Sequence, residues 1–210
     1  MKLFYAPGSS SLMPHIVCYE AGLPFTAIKV DEYTKIIEDG GDYRKVNPLG
    51  YVPALQLDDG TLLTEGAAIV QFIADQVPAK KLAPANGTIE RTKLQSWLNF
   101  IASEMHKGGF SPLFYKGVPE DARSIFRTRL AARFAHLDRH LESNAYLLGR
   151  DYSVADAHLF VVSNWASWVN FDLSPYPHLL SYRERIAARA AVRSAMEAEG
   201  LVPWPSSPPS

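Results

Sequence analysis

The order of strand and helix patterns in the first 77 residues restricts the possible folds more than any other feature of this chain. "KLFY" predicts a short strand, residues 12–21 predict a helix that ends at Gly22, and "FTAIKV" predicts a second strand. "VPALQLDDGTLLTE" is typical of two strands joined at Asp59-Gly60, and residues 67–77 predict a mostly buried helix. The β-α-β unit implies parallel strands with a right-handed crossover, and the β-β-α unit adds an antiparallel hairpin.

The remainder of the chain is predicted to be helical after a short linker. Residues 78–87 ("PAKKLAPANG") are rich in Pro, Ala and Lys and lack periodicity, which indicates a linker. Residues 88–200 show apolar stripes at three- and four-residue spacing, and Ser153 with Asp156 forms a capping-box pattern. We therefore predict an α/β domain over 1–77, an all-α helical bundle over 88–200 and a flexible Pro/Ser-rich tail over 201–210.

Composition and charge argue against several classes of function. The chain has 210 residues and a formal net charge of −1, so nothing draws it globally to nucleic acid or to an anionic membrane. No apolar run approaches the roughly 20 residues of a membrane span, and no secretory signal pattern follows Met1-Lys2. The single cysteine, Cys18, and the lack of an HExxH pattern argue against a disulfide or a metal site. We expect a soluble cytoplasmic protein without a metal, in which Cys18 is a buried apolar residue.

Three serines at positions 9–11 stand directly before the first predicted helix and allow two interpretations. Serine is a favoured N-cap residue, so these serines could simply cap the helix. Alternatively, a hydroxyl beside the positive end of a helix could stabilise a reactive anion. "GSSSL" lacks the second glycine of a nucleophile elbow, which argues against a serine hydrolase.

Two further stretches could bind a small peptidic ligand. If the bond between Val52 and Pro53 is cis, the backbone of Val52 could pair with an extended peptide; otherwise Pro53 marks only a bend or an edge strand. Glu65 precedes a predicted helix start at Gly66 and Ala67. A carboxylate suits an ammonium group and a helix start suits a carboxylate, so this stretch could recognise an α-amino acid end. The alternative is that Glu65 only caps the helix.

A polar face on the first helix of the bundle is the third candidate. Asn99, Ser103 and His106 recur at i, i+4 and i+7, with Lys107 beside them. Such a face is usually exposed to solvent. However, His106 and Lys107 precede the glycine pair of "KGGF", which we expect to be flexible, and could therefore reach an anionic ligand.

Taken in this order, these segments resemble the cytosolic glutathione transferases, and the bacterial beta class in particular. The resemblance covers nearly the whole chain and rests on "MKLFYAPGSSSLMPHI", "VNPLGYVPALQLDDGTLLTEGAAIVQFIADQVP", "LAPANGTIERTKLQSWLNFIASEMHK", "YLLGRDYSVADAHLF" and "VNFDLSPYP". It implies a thioredoxin-like N-terminal domain, a helical C-terminal domain, a homodimer, and glutathione bound between the domains. The implied activity is conjugation of glutathione to small hydrophobic electrophiles, which is detoxification chemistry.

The resemblance also implies a role for each candidate site residue. Val52 and a cis Pro53 would pair with the cysteinyl backbone of glutathione, while Glu65 and the N–H groups of Gly66 and Ala67 would bind its γ-glutamyl end. The anionic or sulfur side would lie near Lys35, His106 and Lys107, with Tyr51 and Asn99 as supporting contacts. The electrophile pocket would be lined by Phe110, Phe114 and Trp165.

Two departures from the family pattern affect the chemistry. Beta-class enzymes usually carry a cysteine where this chain has Ser10, and Ser10 cannot form their mixed disulfide with glutathione. The family also tends to have Ser after the acid, where this chain has Gly66. We predict that Ser11 caps the helix and that Ser10, with His106 as a possible second donor, stabilises the glutathione thiolate. A glutathione-binding or hydrophobic-ligand carrier without catalysis, and a glutathione-dependent peroxidase, are the alternatives.

Overall fold

The computed structural model describes residues 1–204, which form two compact units. The first unit comprises Met1–Leu82 together with the chain from Ala190 onward, and the second comprises Ala83–Arg189. Pro78–Lys80, at the start of the predicted linker, form one turn of 3₁₀-helix. No helix within residues 1–204 has the length and apolar content of a bilayer span.

A four-stranded mixed sheet forms the centre of the first unit. Its strands, in the order β2-β1-β3-β4, are β1 (Lys2–Tyr5), β2 (Thr26–Lys29), β3 (Ala54–Gln56) and β4 (Leu62–Thr64). β1 pairs in parallel with β2, whereas β3 pairs antiparallel with both β1 and β4. The helices of the two predicted units are α1 (Leu12–Ala21) and α2 (Gly66–Gln76). The β-α-β and β-β-α order predicted from the sequence is confirmed.

The last helix packs with the first compact unit. Helix α8 (Ala190–Ala198) belongs to the first unit, although the sequence assigned residues 88–200 to the second domain. The reason is that α8 buries Val192, Ala195 and Met196 and packs against α1, a long-range contact that local periodicity does not reveal. Leu201 is also buried, so the predicted flexible tail does not begin there. The remainder of that prediction, residues 205–210, lies outside the described residues.

Helices make up the regular structure of the second unit, as predicted. They are α3 (Ile89–Phe100), a π-helical continuation (Ile101–Phe110), α4 (Ser111–Phe114), α5 (Glu120–Leu141), α6 (Val154–Asn164) and α7 (Pro177–Ala187). The capping box predicted at Ser153 is confirmed, because Ser153 and Asp156 exchange side-chain to backbone hydrogen bonds. Asp156 also accepts hydrogen bonds from the backbone N–H of Leu147 and the hydroxyl of Tyr182, so it joins the loop before α6 and helix α7 to the start of α6.

Candidate functional site

The three serines of the loop between β1 and α1 make different hydrogen bonds. Ser11 Oγ accepts from the N–H of Ala6 at 3.0 Å and donates to its carbonyl oxygen at 3.1 Å. Ser9 Oγ lies 2.7 Å from Ser11 Oγ and accepts from the Ser11 N–H at 3.2 Å. Because Ser11 is fully buried and Ser9 is bound to it, both hydroxyls serve to hold the loop together.

Ser10 stands outside this arrangement and points towards Val52. Its hydroxyl is half-buried and donates to the carbonyl oxygen of Val52 at 3.4 Å. A strong O–H···O hydrogen bond is about 2.7–2.8 Å long, so this hydroxyl is weakly held and can rotate towards another acceptor. Of the three serines, Ser10 is therefore the one suited to bind a ligand.

The predicted cap at Ser11 is wrong, although Ser11 does occupy the N-cap position. Its side chain makes no capping hydrogen bond, because the hydroxyl is bound to Ala6 instead. The N–H groups of Leu12 and Met13 donate to the carbonyl oxygens of Ser9 and Ser10 at 3.1 and 3.3 Å. These two donors are engaged in turns, so the start of α1 offers an anion its dipole and the Ser10 hydroxyl rather than a row of open N–H groups.

The segment before β3 presents the backbone of Val52. The bond between Val52 and Pro53 is cis, which is the isomer that the ligand-binding interpretation required. Asn47 Nδ2 and Tyr43 Oη both donate to the Tyr51 carbonyl oxygen, at 2.8 and 2.9 Å. β3 is an inner strand, so Pro53 marks a bend at its start and not an edge. Two buried side chains thus fix the backbone immediately before the cis bond.

Lys35 packs against Gly50, the residue that precedes Tyr51 in the chain. Lys35 has a positive φ of 61°, unusual for a residue other than glycine. Its aliphatic stem covers Gly50, where a Cβ atom would lie 3.4 Å from Lys35 Cδ and Cε. The Tyr51 side chain is mostly exposed. The structure therefore places the Lys35 side chain against the residue that precedes Tyr51, while the roles of Lys35 and Tyr51 stay predictions.

Glu65 does not cap helix α2 with its side chain, which removes the simpler interpretation of this residue. It occupies the N-cap position with φ 63° and ψ 107°, makes no capping hydrogen bond and is exposed. A non-glycine residue in such a conformation costs of order 1–3 kcal/mol, and such residues cluster at ligand-binding sites. The backbone therefore turns this carboxylate outwards at the start of a helix, where it is free of a capping role.

Gly66 explains one of the departures from the family pattern. A Cβ at this position would lie 2.5 Å from Met13 Cε and 3.4 Å from Pro53 Cγ. A serine here would therefore require the terminal methyl group of the flexible Met13 side chain to shift. The same close contact brings the start of α2, with Ala67, against Pro53 and the beginning of α1.

In the second unit, the segment that carries His106 is π-helical and not flexible. The carbonyl oxygen of His106 accepts from the N–H of Ser111, five residues further on. A Cβ at Gly109 would lie 2.6 Å from Leu130 Cδ2, so only glycine allows this close contact with α5. The flexibility expected for "KGGF" is wrong. π-Helical turns are rare, and those that form single-turn bulges inside α-helices occur often at functional sites.

Because residues 101–110 are π-helical, His106 does not share the polar face of Asn99 and Ser103 to which the sequence assigned it. Asn99 and Ser103 are exposed, and the Asn99 side chain donates to the carbonyl oxygen of Gln95 at 2.9 Å. His106 instead packs its ring against Trp165, with ring centroids 4.7 Å apart. Burial lowers the pKa of His106 to about 4, and the charge of Lys107 contributes. The lowered pKa favours a neutral His106 near pH 7 in the chain without ligand, and the role of His106 beside the thiolate stays a prediction.

Phe110, Phe114 and Trp165 meet in one aromatic cluster, as the resemblance implies. Trp165 lies 5.9 Å from both phenylalanine rings, and Trp168 lies 6.5 Å from Trp165. Phe110 and Trp165 are buried within the bundle, whereas Phe114 is 37% exposed and Trp168 is partly exposed. The surface open to a ligand is therefore formed by Phe114 and Trp168, and Trp168 was missed. The i, i+3 spacing of the two tryptophans in "WASW" was the available signal.

Mild acid should lower the unfolding free energy of the second unit, because its buried histidines resist protonation in the folded state. Burial lowers the pKa of His158 to about 3, with a contribution from His106. In the unfolded chain an imidazole has a pKa of about 6.5, so below that pH the unfolded state binds protons that the folded state does not. The unfolding free energy should thus fall as the pH drops from about 6.5 to about 4, by about 3 kcal/mol for His158. Urea unfolding of wild type and His158→Leu at both pH values measures this, and an equal pH dependence in the two proteins would contradict it.

Two other predictions concern groups away from the serine loop. Cys18 is fully buried, so the prediction of a buried residue is confirmed, and burial raises the pKa of its thiol to about 12. Within residues 1–204, no cluster of three or more His, Cys, Asp or Glu side chains could hold a metal ion.

Family comparisons agree with this arrangement of elements. Residues 9–76 match the family model of the glutathione S-transferase N-terminal domain, and residues 103–199 match that of the C-terminal domain. Glutathione S-transferase GstA of Escherichia coli O157:H7 is 45% identical over 201 residues, which cover 96% of this chain and all of that protein.

Solved structures of bacterial glutathione transferases have the same fold. The ternary complex of BphK is 55% identical with a TM-score of 0.94, covering 96% of this chain and all of that one. A sphingomonad glutathione S-transferase complexed with glutathione (45% identity, TM-score 0.92) and the beta-class enzyme of Sphingomonas chungbukensis (47%, TM-score 0.92) show the same coverage of both chains. With a relative of 45% identity matched over its full length and both domain models matched in order, this chain belongs to the glutathione S-transferase family, among its bacterial beta-class members.

Proposed function

We propose that this protein is a glutathione transferase in which the Ser10 hydroxyl stabilises the thiolate of bound glutathione for attack on small hydrophobic electrophiles. The observation that carries this proposal is the position of Ser10. Its hydroxyl is the weakly bound one of the three serines and lies 3.4 Å from the Val52 carbonyl oxygen. In the family, the cysteinyl backbone of glutathione pairs with the residue at this position, so a sulfur attached to that backbone would come within reach of Ser10.

The energetics allow a serine to perform this role. A free thiol has a pKa of about 8.5, and lowering it by two units requires about 2.7 kcal/mol of preference for the anion. A hydrogen bond to a charged group provides about 1.5–3 kcal/mol. The start of a helix adds about 0.3–1 kcal/mol, and up to about 2 in a partly buried site. The hydroxyl and the α1 dipole together therefore suffice, without a charged His106.

The γ-glutamyl end of glutathione is assigned to the start of α2. It carries an ammonium and a carboxylate, which match the exposed Glu65 side chain and the positive end of α2 at Gly66 and Ala67. The opposite end of glutathione is a carboxylate, for which Lys35 is the candidate cation. Asn99 and Lys107, both exposed, stay candidate contacts on the family's evidence alone.

The electrophile is assigned to the exposed edge of the aromatic cluster. Phe114 and Trp168 offer flat apolar surfaces that suit a small aromatic compound. In the chemical step the thiolate sulfur forms a bond to an electrophilic carbon, and a leaving group such as chloride departs with the bonding electron pair. The proton of the glutathione thiol has already passed to solvent when the thiolate forms.

Turnover of glutathione with chlorodinitrobenzene tests the proposal. We expect saturable formation of the glutathione conjugate with release of chloride. Calorimetric binding of glutathione without turnover of any electrophile would contradict transferase activity and favour the carrier function instead. Reduction of an organic hydroperoxide without conjugation would favour the peroxidase.

Arg123 provides a test of the electrophile site. Its guanidinium donates to the carbonyl oxygens of Leu113, Tyr115 and Val118 at 2.6, 2.7 and 3.0 Å, which fixes the segment that follows Phe114. Arg123→Ala should therefore raise the KM for chlorodinitrobenzene by about three- to fivefold, because Phe114 is less well placed, and leave the KM for glutathione within about twofold.

Arg139→Ala, at an exposed position of the same helix α5, is the matched control and should change neither constant. An equal rise of both KM values in Arg123→Ala would indicate general destabilisation and would contradict the assignment of Phe114.

A homodimer and a cytoplasmic location are further proposals that the family supports. Light scattering at micromolar concentration tests the first, and a mass of one chain would overturn it. Fractionation of the source cells tests the second.

A further inference from the structure

A buried hydrogen bond between a histidine and a carboxylate joins the C-terminal segment to helix α1. His15 Nδ1 and Glu199 Oε1 are 2.7 Å apart, and their side chains are 1% and 0% exposed. Both residues belong to the first unit, although 184 positions separate them in the sequence. The proposed transferase mechanism uses neither residue.

The second carboxylate oxygen of Glu199 contacts the serine loop itself. Oε2 accepts a hydrogen bond from the backbone N–H of Gly8 at 2.8 Å. Gly8 has a positive φ of 71° and stands two residues before Ser10, while His15 lies in the helix that follows. One carboxylate thus holds the chain on both sides of Ser10.

The free-energy cost of burying the polar side chains of His15 and Glu199 indicates that this contact does more than stabilise the fold. Burial raises the pKa of Glu199, and the bonds from His15 and Gly8 oppose that shift. A buried pair of side chains that includes a charge is often no more stabilising than apolar side chains of the same volume. The His15 ring packs within 5.2–5.5 Å of the rings of Tyr5, Tyr19 and Phe25, and its Nε2 has no hydrogen-bond partner within residues 1–204. An apolar residue would suit these surroundings better, so the imidazole is explained by its bond to Glu199.

We propose that Glu199 and His15 are positioning residues for catalysis, which hold the Gly8 turn so that the Ser10 hydroxyl faces the glutathione sulfur. This inference rests on the proposed role of Ser10. It makes the segment after α8 a part of the catalytic apparatus of the first unit.

Glu199→Gln is the first test, with Glu197→Gln as the matched control. The neutral amide replaces one of the two carboxylate oxygens by an NH₂ donor, so it cannot offer charged acceptors to Gly8 and His15 at once. We expect kcat/KM with chlorodinitrobenzene to fall about tenfold, and the pKa of the bound glutathione thiol to rise, with the KM for glutathione within about twofold. Glu197 is exposed on the same segment, and its replacement should leave all three quantities unchanged.

A double-mutant cycle with Ser10→Ala separates positioning from general damage. If Glu199 acts through Ser10, the double variant should be no slower than Ser10→Ala alone. Losses that multiply in the double variant would overturn the inference but leave the role of Ser10 intact. Wild-type kcat/KM in Ser10→Ala would overturn the proposed role of Ser10 and this inference with it.

Substitutions of His15 keep the test decisive if Glu199→Gln does not fold. The amide nitrogen of Asn can occupy the position of Nδ1 and donate to Glu199, whereas Leu fills the space without a donor. We expect His15→Asn to retain kcat/KM within about threefold and His15→Leu to lose about tenfold. Equal activity of the two variants would overturn the inference.

Discussion

Replacing Ser10 with alanine is expected to lower kcat/KM for conjugation of chlorodinitrobenzene by about 10- to 100-fold at neutral pH. The loss corresponds to one hydrogen bond to a charged group, about 1.5–3 kcal/mol, which the thiolate receives and the neutral thiol does not. The KM for glutathione should change little, because the peptide backbone and both termini of glutathione are bound elsewhere. Initial rates measured over glutathione and electrophile concentrations give both constants.

Ser9→Ala is the comparison that shows whether this loss is specific to Ser10. Ser9 contributes its hydroxyl to Ser11 and not to the ligand, so we expect a smaller loss of activity. Equal losses in the two variants would mean that the loop as a whole, and not the Ser10 hydroxyl, supports catalysis.

Ser10→Cys tests proximity to the sulfur without relying on rates. Incubated with oxidised glutathione, the new thiolate should attack the disulfide, form a mixed disulfide and release one glutathione thiolate. Mass spectrometry of the intact chain should detect one glutathione adduct. Wild type is the control, because its only thiol, Cys18, is fully buried and has a pKa raised to about 12.

Glu65→Gln is expected to weaken glutathione binding by about 10- to 100-fold, with a smaller effect on kcat. The change keeps the size of the side chain but removes the charge that faces the ammonium of the γ-glutamyl group, and a charged hydrogen bond contributes about 1.5–3 kcal/mol. Isothermal calorimetry gives the dissociation constant. Glu65 is exposed, so raising the ionic strength should reduce the difference between the two proteins.

A glutathione analogue that lacks the amino group makes this test specific. Wild type should bind the analogue more weakly than glutathione, whereas Glu65→Gln should bind both with similar affinity. A preference for glutathione that survives in Glu65→Gln would contradict the assignment of Glu65 to the ammonium.

Local patterns were sufficient to predict the elements of the fold. The helix bounds of α1 followed from Gly22, which ends it in a left-handed conformation, and the hairpin followed from Asp59-Gly60. The capping box at Ser153 and Asp156 was equally visible, because it depends on two residues three positions apart. Each of these features depends on neighbours in the sequence.

Contacts between distant residues were not predictable in this way. The packing of α8 on α1 and the bond from Glu199 to Gly8 join the two ends of the chain, and no periodicity records them. The π-helical register turned His106 away from Asn99, so the i, i+7 spacing of an α-helix was misleading there. The Ser11 side chain was expected to cap α1, but a hydrogen bond to Ala6 removed that possibility.

Titration of the bound glutathione thiol, followed by the ultraviolet absorbance of the thiolate, tests the central claim most directly. In wild type the pKa should lie about one to two units below the value of about 8.5 for a free thiol. In Ser10→Ala it should return by at least about one unit towards that value. A bound thiol with the same pKa in both proteins would contradict the claim that Ser10 stabilises the thiolate.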